Sequence, residues 1–213
     1  MIKKLIKVLS IIFLIVILSV IYLSIIGIKT EKFNDDIKNR ISDINYNIKL
    51  NLEDIKFLLN PINFTANITT KNPTIILGNN ELKLKSIKTN ISLKSLIFDQ
   101  FSVDELEIST KSIMLNDIIL LARSFKNSTE LFLLDRVIKD GFLVADIRLK
   151  FDNKGRVKEN YQIKGFIKSG KLNFLNHLNV KNLNLNFDIR KNKYSLTKLD
   201  SEINDVKFSS PLI

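Results

Sequence analysis

No cysteine occurs in this 213-residue chain, so neither a disulfide nor a thiolate can brace the fold, hold a soft metal or act as a nucleophile. Tryptophan is also missing, and the single histidine is His177. One imidazole without cysteine cannot assemble the usual transition-metal site, and His177 sits in a loop-like stretch, Phe174-Leu175-Asn176-His177-Leu178, that reads as surface. Glycine numbers six and proline three, and no Walker-type loop, dinucleotide fingerprint or G-x-S-x-G elbow is present. Asp99, Asp104, Glu105 and Glu107 are close in sequence but lie across an alternating segment, which is the pattern of a solvated strand face rather than an acid–base pair. No enzyme activity, cofactor or metal is expected.

The formal net charge is +11. Basic residues are nevertheless spread along the whole chain, without the clusters and aromatic interleaving of a nucleic-acid footprint, so nucleic acid is excluded as a partner. A weak attraction to anionic headgroups fits better, since each Lys or Arg near such a surface contributes about 1 kcal/mol.

What the chain does have is one long apolar run, Leu5 to Ile28, interrupted only by Lys7. A helix of this length, at 1.5 Å per residue, reaches about 36 Å against a hydrocarbon core of roughly 30 Å. Lys3, Lys4 and Lys7 at its start are the topology signal: they hold the N-terminus in the cytoplasm and put the body on the other side, since Lys29 and Lys32 beyond it are mixed with acidic residues. A cleavable signal is the competing reading, but its apolar region is usually about 7 to 15 residues and ends in small residues. The exit here, Tyr22-Leu23-Ser24-Ile25-Ile26-Gly27, carries no A-x-A site. The expected organisation is a cytoplasmic N-terminus (1–4), an anchor (5–28), a linker or amphipathic segment (29–47) with Phe33, Ile37 and Ile41 at spacings of four, and one β domain (48–213).

The body has the period of strands. Ile48, Leu50 and Leu52 alternate with polar residues, Ile55 and Phe57 resume the face, and Asn60-Pro61 breaks the pattern. A second strand is expected through Ile62, Phe64, Ala66 and Ile68, then a break at Asn72-Pro73, a short strand from Thr74 to Leu77 and a turn at Gly78-Asn79-Asn80. Leu82 and Leu84, then Ile87, Thr89, Ile91 and Leu93, continue an antiparallel meander. Phe101, Val103, Leu106 and Ile108 follow with a slip of register near Asp104 and Glu105. Two helices are expected between 116 and 139. The first is capped at Asn116 or Asp117 and carries Ile118, Leu121, Ala122 and Phe125; the second runs from about Ser128 to Lys139. Strands then return with Leu143, Ala145, Ile147 and Leu149, a turn at Asp152 to Gly155, Tyr161 to Ile167, and a turn near Ser169-Gly170. Leu183, Leu185, Phe187 and Ile189 alternate with Asn, Asp and Arg, and a tight turn at Lys191-Asn192-Lys193 leads to Tyr194 and Leu196. Ile203, Val206 and Phe208 begin a further alternating stretch that stops at Ile213. It is either an edge strand or, on the preferred reading, part of an incomplete β domain.

The sequence I-x-L-x-L from Ile48, the two Asn-Pro breaks, TIILGNNELKLKSIKTNISL from Thr74, the helices and DGFLVADIRLKFDNKGRV from Asp140 together resemble the AsmA-like family of bacterial envelope proteins. That family is related in architecture to the repeating β-groove, chorein-type lipid-transfer proteins. The likeness is strongest from Ile48 to Ser95, with support from Gly141 to Lys171. It implies a single-pass inner-membrane protein with a periplasmic body, whose curved antiparallel sheet passes phospholipid between the envelope membranes and so serves outer-membrane biogenesis. Membrane lipid and other envelope proteins are the implied partners. The chain is shorter than is usual for the family, so a partner or further sequence would have to complete a bridge.

If one sheet face is apolar, the groove candidates are Ile48, Leu50 and Leu52; Ile62, Phe64 and Ile68; Leu82, Leu84 and Ile91; Leu143 and Ile147; and Leu183, Leu185, Phe187 and Ile189. Exposing two acyl tails of about 30 methylenes to water costs on the order of 24 kcal/mol, so a conduit needs an unbroken apolar stripe, and an inward charge at Leu84 or Leu185 would interrupt it. The competing outcome is a β-sandwich in which the same stripe is ordinary core and the protein is an anchored scaffold for outer-membrane protein assembly.

Overall fold

The computed structural model describes residues 2–32, 34–35, 37–39, 47–78, 80–98, 103–125, 128–174 and 178–212. Phe33, Ile41, Asn79, Asp99, Phe101 and His177 lie outside the described residues.

Helix α1 runs from Ile2 to Ile25, is apolar on all sides and is long enough to cross a membrane. It stops three residues short of Ile28, the expected end of the anchor. Gly27 adopts φ +73° just past the last turn, where a Cβ would come within 2.2 Å of the Phe57 carbonyl oxygen. A side chain is excluded there and the helix cannot continue. Ile28 instead opens strand β1 (Ile28–Thr30), which pairs with β3 (Ile55–Asn60). The region expected to be only a linker therefore already contributes to the sheet. Within it, the buried Asn34 amide donates to the carbonyls of Leu52 and Glu53, and Ile37 packs on Leu50, Leu52 and Ile55.

The body is mainly β, an open, curved antiparallel sheet. Besides β1 and β3 its strands are β2 (Ile48–Asn51), β4 (Thr65–Lys71), β5 (Thr74–Leu77), β6 (Asn80–Ser92), β7 (Val103–Thr110), β8 (Ile113–Met114), β9 (Ile138–Lys150), β10 (Gln162–Phe174), β11 (Leu178–Arg190), β12 (Lys193–Ile203) and β13 (Val206–Leu212). The path is β1-β3-β4-β6-β7-β9-β10-β11-β12-β13, with β2 and β5 attached to the first half of β6 and β8 attached to β9. The long strand β6 slips register between Leu84 and Ser86. Its first half pairs with β5 and its second half with β4, so β2 and β5 form a flap over the inner face of β3 and β4. The body also carries the helices α2 (Leu93–Ile97), α3 (Leu115–Phe125) and α4 (Thr129–Val137), the last capped by the Ser128 hydroxyl accepting from the Leu131 N–H.

Cross-strand register sorts the two faces. From β1 to β12, Thr30, Ile55, Thr70, Ile87, Ile108, Ile147, Ile163, Ile189 and Tyr194 are successive partners on one face. One position along, on the other face, the partners are Lys29, Lys56, Thr69, Lys88, Glu107, Arg148, Gln162, Arg190 and Lys193. Alternation with a period of two makes the inner face apolar and the outer face a charged ladder.

Several local expectations change. Pro61 to Phe64 form a turn and β4 starts only at Thr65, so Ile62 and Phe64 are not strand residues; Phe64 takes φ 52°, incompatible with extended backbone. Leu93 opens α2 instead of ending β6, and α3 begins at Leu115, which places the expected cap Asn116 inside the helix. Helix α4 ends at Val137, short of the expected Lys139, because the extended Ile138 caps it, its N–H donating to the Leu134 carbonyl, and at the same time starts β9. Ser169-Gly170 is not a turn: β10 runs through it, because Ser169, at φ 53°, is absorbed as a bulge. The register slip expected near Asp104 is present between Asn90↔Glu105 and Ile91↔Val103.

Gly165 lies on the inner face opposite Phe187, and a Cβ there would meet the Val144 carbonyl oxygen at 2.1 Å and the Phe187 ring at 2.9 Å. Gly165→Ala is expected to destabilise by about 1–3 kcal/mol, read as a lower denaturant midpoint at unchanged slope. In the β9–β10 connection, Asp152 accepts from the backbone N–H groups of Arg156 and Lys154 and from the Arg156 guanidinium, which lowers its pKa from 3.8 to about 2. Because the folded value is depressed, this loop is stabilised above 3.8 and loses the contribution as pH falls through about 2. The expected carboxyl NMR midpoint for Asp152 is therefore near 2.

Candidate functional site

The flap and the inner face do not close on each other completely. Between them lies a cavity of about 460 Å³, lined by Ile37, by Ile48, Leu50, Leu52 and Ile75 of the flap strands and their connection, by Ile55, Ile68, Thr70, Ile87, Thr89, Leu106 and Ile108 of the sheet, and by Leu121 and Phe125 of α3. Among the described residues no charged side chain lines it, and the polar ones are two threonines. The Thr89 hydroxyl donates to the Glu105 carbonyl at 3.0 Å, whereas the buried Thr70 Oγ1 has no hydrogen-bond partner among the described residues. Such a site can take hydrocarbon and offers nothing to stabilise a charge or move a proton.

Its position follows from the chain path. Ile55, in the cavity wall, is the cross-strand partner of Thr30, a few residues beyond the end of α1. From Ile108 the apolar row continues through Ile147, Ile163 and Ile189, all half-buried, to the exposed Tyr194. The face stays continuous across β10 to β12 because Ser169, Asn182 and Lys198, with φ near 53–54°, each insert one residue. Ile167 and Gly170, Val180 and Leu183, and Leu196 and Leu199 are thus separated by steps of three residues rather than two, and all stay on the inner side. The Asn184 side chain ties this crease together, accepting from the Ser169 N–H at 2.9 Å and donating to the Asn182 carbonyl at 2.7 Å.

The fifteen groove candidates fall into four groups. Ile48, Leu50, Leu52 and Ile68 line the cavity. Ile91, Leu143, Ile147, Leu183, Leu185, Phe187 and Ile189 lie half-buried on the same inner face beyond it. Leu82 and Leu84, at 1% and 3% exposure, belong to a closed cluster with Ile113 beneath Ile118 and Leu121 of α3. Ile62 and Phe64 stand in the β3–β4 turn, away from the cavity. A charge at Leu84 would therefore act on folding, and Leu185 is the informative position of the two. The α3 contribution of Leu121 and Phe125, Ile37, Ile75 of the flap, and the sheet residues Ile55, Thr70, Ile87, Thr89, Leu106 and Ile108 were missed as lining. Their signal was present: the strand residues alternate with polar neighbours, and the helix pair is spaced i, i+4.

Of the acidic group, Glu105 and Glu107 take part in the outer ladder. Arg148 pairs with Glu105 at 3.3 Å and Glu107 at 2.7 Å, and Lys88 reaches Glu107 at 3.8 Å. Farther along, Arg190 and Gln162 bond Asp188 and hold its carboxyl below the usual carboxylate range. Every carboxylate of this ladder thus faces away from the cavity. Among the described residues no group of three His, Asp or Glu side chains is placed to hold a metal ion.

No model of a known protein family matches the chain, and no curated protein matches its sequence.

Thr70→Val removes the unpaired buried hydroxyl at nearly constant shape and is expected to raise stability by about 1–2 kcal/mol, read as a higher denaturant midpoint.

Proposed function

We propose that this chain is a membrane-anchored lipid-handling protein of AsmA-like kind, which holds acyl chains along the inner face of its curved sheet without chemical catalysis. The carrying observation is the apolar row from Ile55 to Ile189, which opens into an uncharged cavity of about 460 Å³ beside the strand that follows the membrane-span helix. That volume falls within the roughly 300–1,000 Å³ typical of small-molecule sites. Covering each methylene there is favourable by about 0.8 kcal/mol, so an acyl chain gains in proportion to the length it lays along the row.

In this reading α1 anchors the protein once in the bacterial inner membrane, Lys3, Lys4 and Lys7 keep the N-terminus cytoplasmic, and the body works in the periplasm on phospholipid bound for the outer membrane. Other envelope proteins extend the path. The rival reading, an anchored scaffold for outer-membrane protein assembly, draws support from the closed cluster of Leu82, Leu84 and Ile113, where the apolar stripe is core. It requires that the cavity stay empty.

Native mass spectrometry of the full chain, extracted in mild detergent, separates the two. The expected result is a copurified phospholipid. Its occupancy should fall in Leu106→Trp, which fills the cavity, and in Leu185→Asp, which places a charge on the row. Circular dichroism establishes that each variant is folded. A lipid-free wild type, or undiminished occupancy in both folded variants, overturns the proposal.

A further inference from the structure

Where the chain leaves α1, the sheet turns back toward the bilayer. The helix keeps its surface exposed apart from its last turns, so it projects beyond the strand ends and does not fold over the sheet. β1 and β3 are antiparallel with Ile28 opposite Phe57, and Gly27 lies against the Phe57 carbonyl and the Leu58 side chain. From Phe57, β3 continues to Asn60 before the Pro61 to Phe64 turn. At about 3.3 Å per residue, that turn stands roughly 10 Å beyond Phe57 on β3, the strand that the partly covered last turns of α1 lie against. Ten ångströms correspond to roughly seven residues of helix rise, which brings the turn level with the last turns of α1, around Tyr22. A tyrosine at the end of a span is itself an interfacial side chain.

The turn is unusually apolar for its exposure. Ile62 is 93% exposed and Phe64 50%. Beside it lies α2, joined through the Leu93 N–H donating to the Phe64 carbonyl at 3.0 Å, and its end presents Ile97 at 69% and Phe98 at 65% exposure. Two separate segments therefore bring four large apolar side chains to one end of the sheet, with the exposed Lys94 among them. Grouped exposure of this kind marks a contact surface.

We propose that the β3–β4 turn and α2 form a foot that inserts into the headgroup layer of the leaflet from which α1 emerges. Continuity with the span selects the occupant: the nearest apolar phase to these side chains is the bilayer that α1 already crosses. Lys94, exposed on α2, suits anionic phosphates at that depth. The foot and α1 together make two points of attachment, which fixes the tilt of the sheet relative to the membrane. This rests on α1 spanning a bilayer and not on the cavity holding lipid.

The chain contains no tryptophan, so single replacements each report one position. The full chain carrying Ile62→Trp, Phe98→Trp or Phe166→Trp is reconstituted in vesicles of phosphatidylglycerol and phosphatidylcholine brominated on its acyl chains. Phe166 is the reference, on the outer face of β10 away from the foot. Tryptophan at 62 and 98 is expected to emit at shorter wavelength and lose most of its intensity to the bromines, while tryptophan at 166 keeps its solvent-exposed spectrum. Because the two foot positions lie in different segments, one misfolded variant leaves the other to decide. Unquenched, solvent-like emission at 62 and 98 overturns the proposal, and so does equal quenching at all three positions, which would mean a body lying flat on the bilayer.

Discussion

The structure depends on keeping one side of every strand apolar while the sheet bends. Side chains alternate across a strand with a period of two, so one extra or missing residue sends everything beyond it to the wrong face. A sheet this wide cannot stay flat, and bending it requires local irregularity. Ser169, Asn182 and Lys198 reconcile the two demands: each takes a left-handed conformation and adds one residue on adjacent strands, so the crease bends three strands and restores the face in all of them. Phe187 covers Gly165 beside the crease, where a larger inner residue would strike the neighbouring backbone. Asn suits such a position because its short polar side chain tolerates positive φ, and Asn184 supplies one cross-strand hydrogen bond, from the Ser169 N–H, and one within its own strand, to the Asn182 carbonyl.

The same constraint explains why the charges stay out of the apolar side. Glu105, Glu107, Arg148, Asp188 and Arg190 occupy the positions between the inner residues and neutralise one another along the outer face. These exposed pairs add little stability individually, but they keep a broad sheet soluble on one side while the other stays free of charge. Along the row and the cavity wall the described inner-face residues are Ile, Leu, Phe, Thr, Ala and Gly, none of them charged, until the row ends at Tyr194.

Enclosure is uneven along that face. At the anchor end, β2 and β5 fold back over β3 and β4, and α3 closes a side wall, so the face becomes a cavity. Toward β13 the described residues place no second layer on it, and its side chains remain half-buried. On the proposed reading, the pocket is where an acyl chain is enclosed and the open track is where it is passed along. Leu82 and Leu84 show that the arrangement is selective, since the same alternation yields closed core wherever α3 lies directly above it.

By itself the sequence determined the span, the mainly β class, the antiparallel meander and the one-sidedness of the strands, because each follows from local hydropathy and period. The alternation from Leu183 to Arg190 was legible for that reason, although the left-handed bulge at Asn182 was not. The reach of α1 was not, since Gly27 ends it through a contact with Phe57 that lies thirty positions away. Nor could Ile62 and Phe64, which continue the alternation on paper, be separated from the strand that follows until Phe64 was seen to turn the chain. Only the tertiary structure decided which apolar residues are core, cavity, track or exposed end. Period assigns a residue to a face, but what covers that face comes from elements distant in sequence: the flap over Ile55, the helix over Leu84, and nothing among the described residues over Ile62.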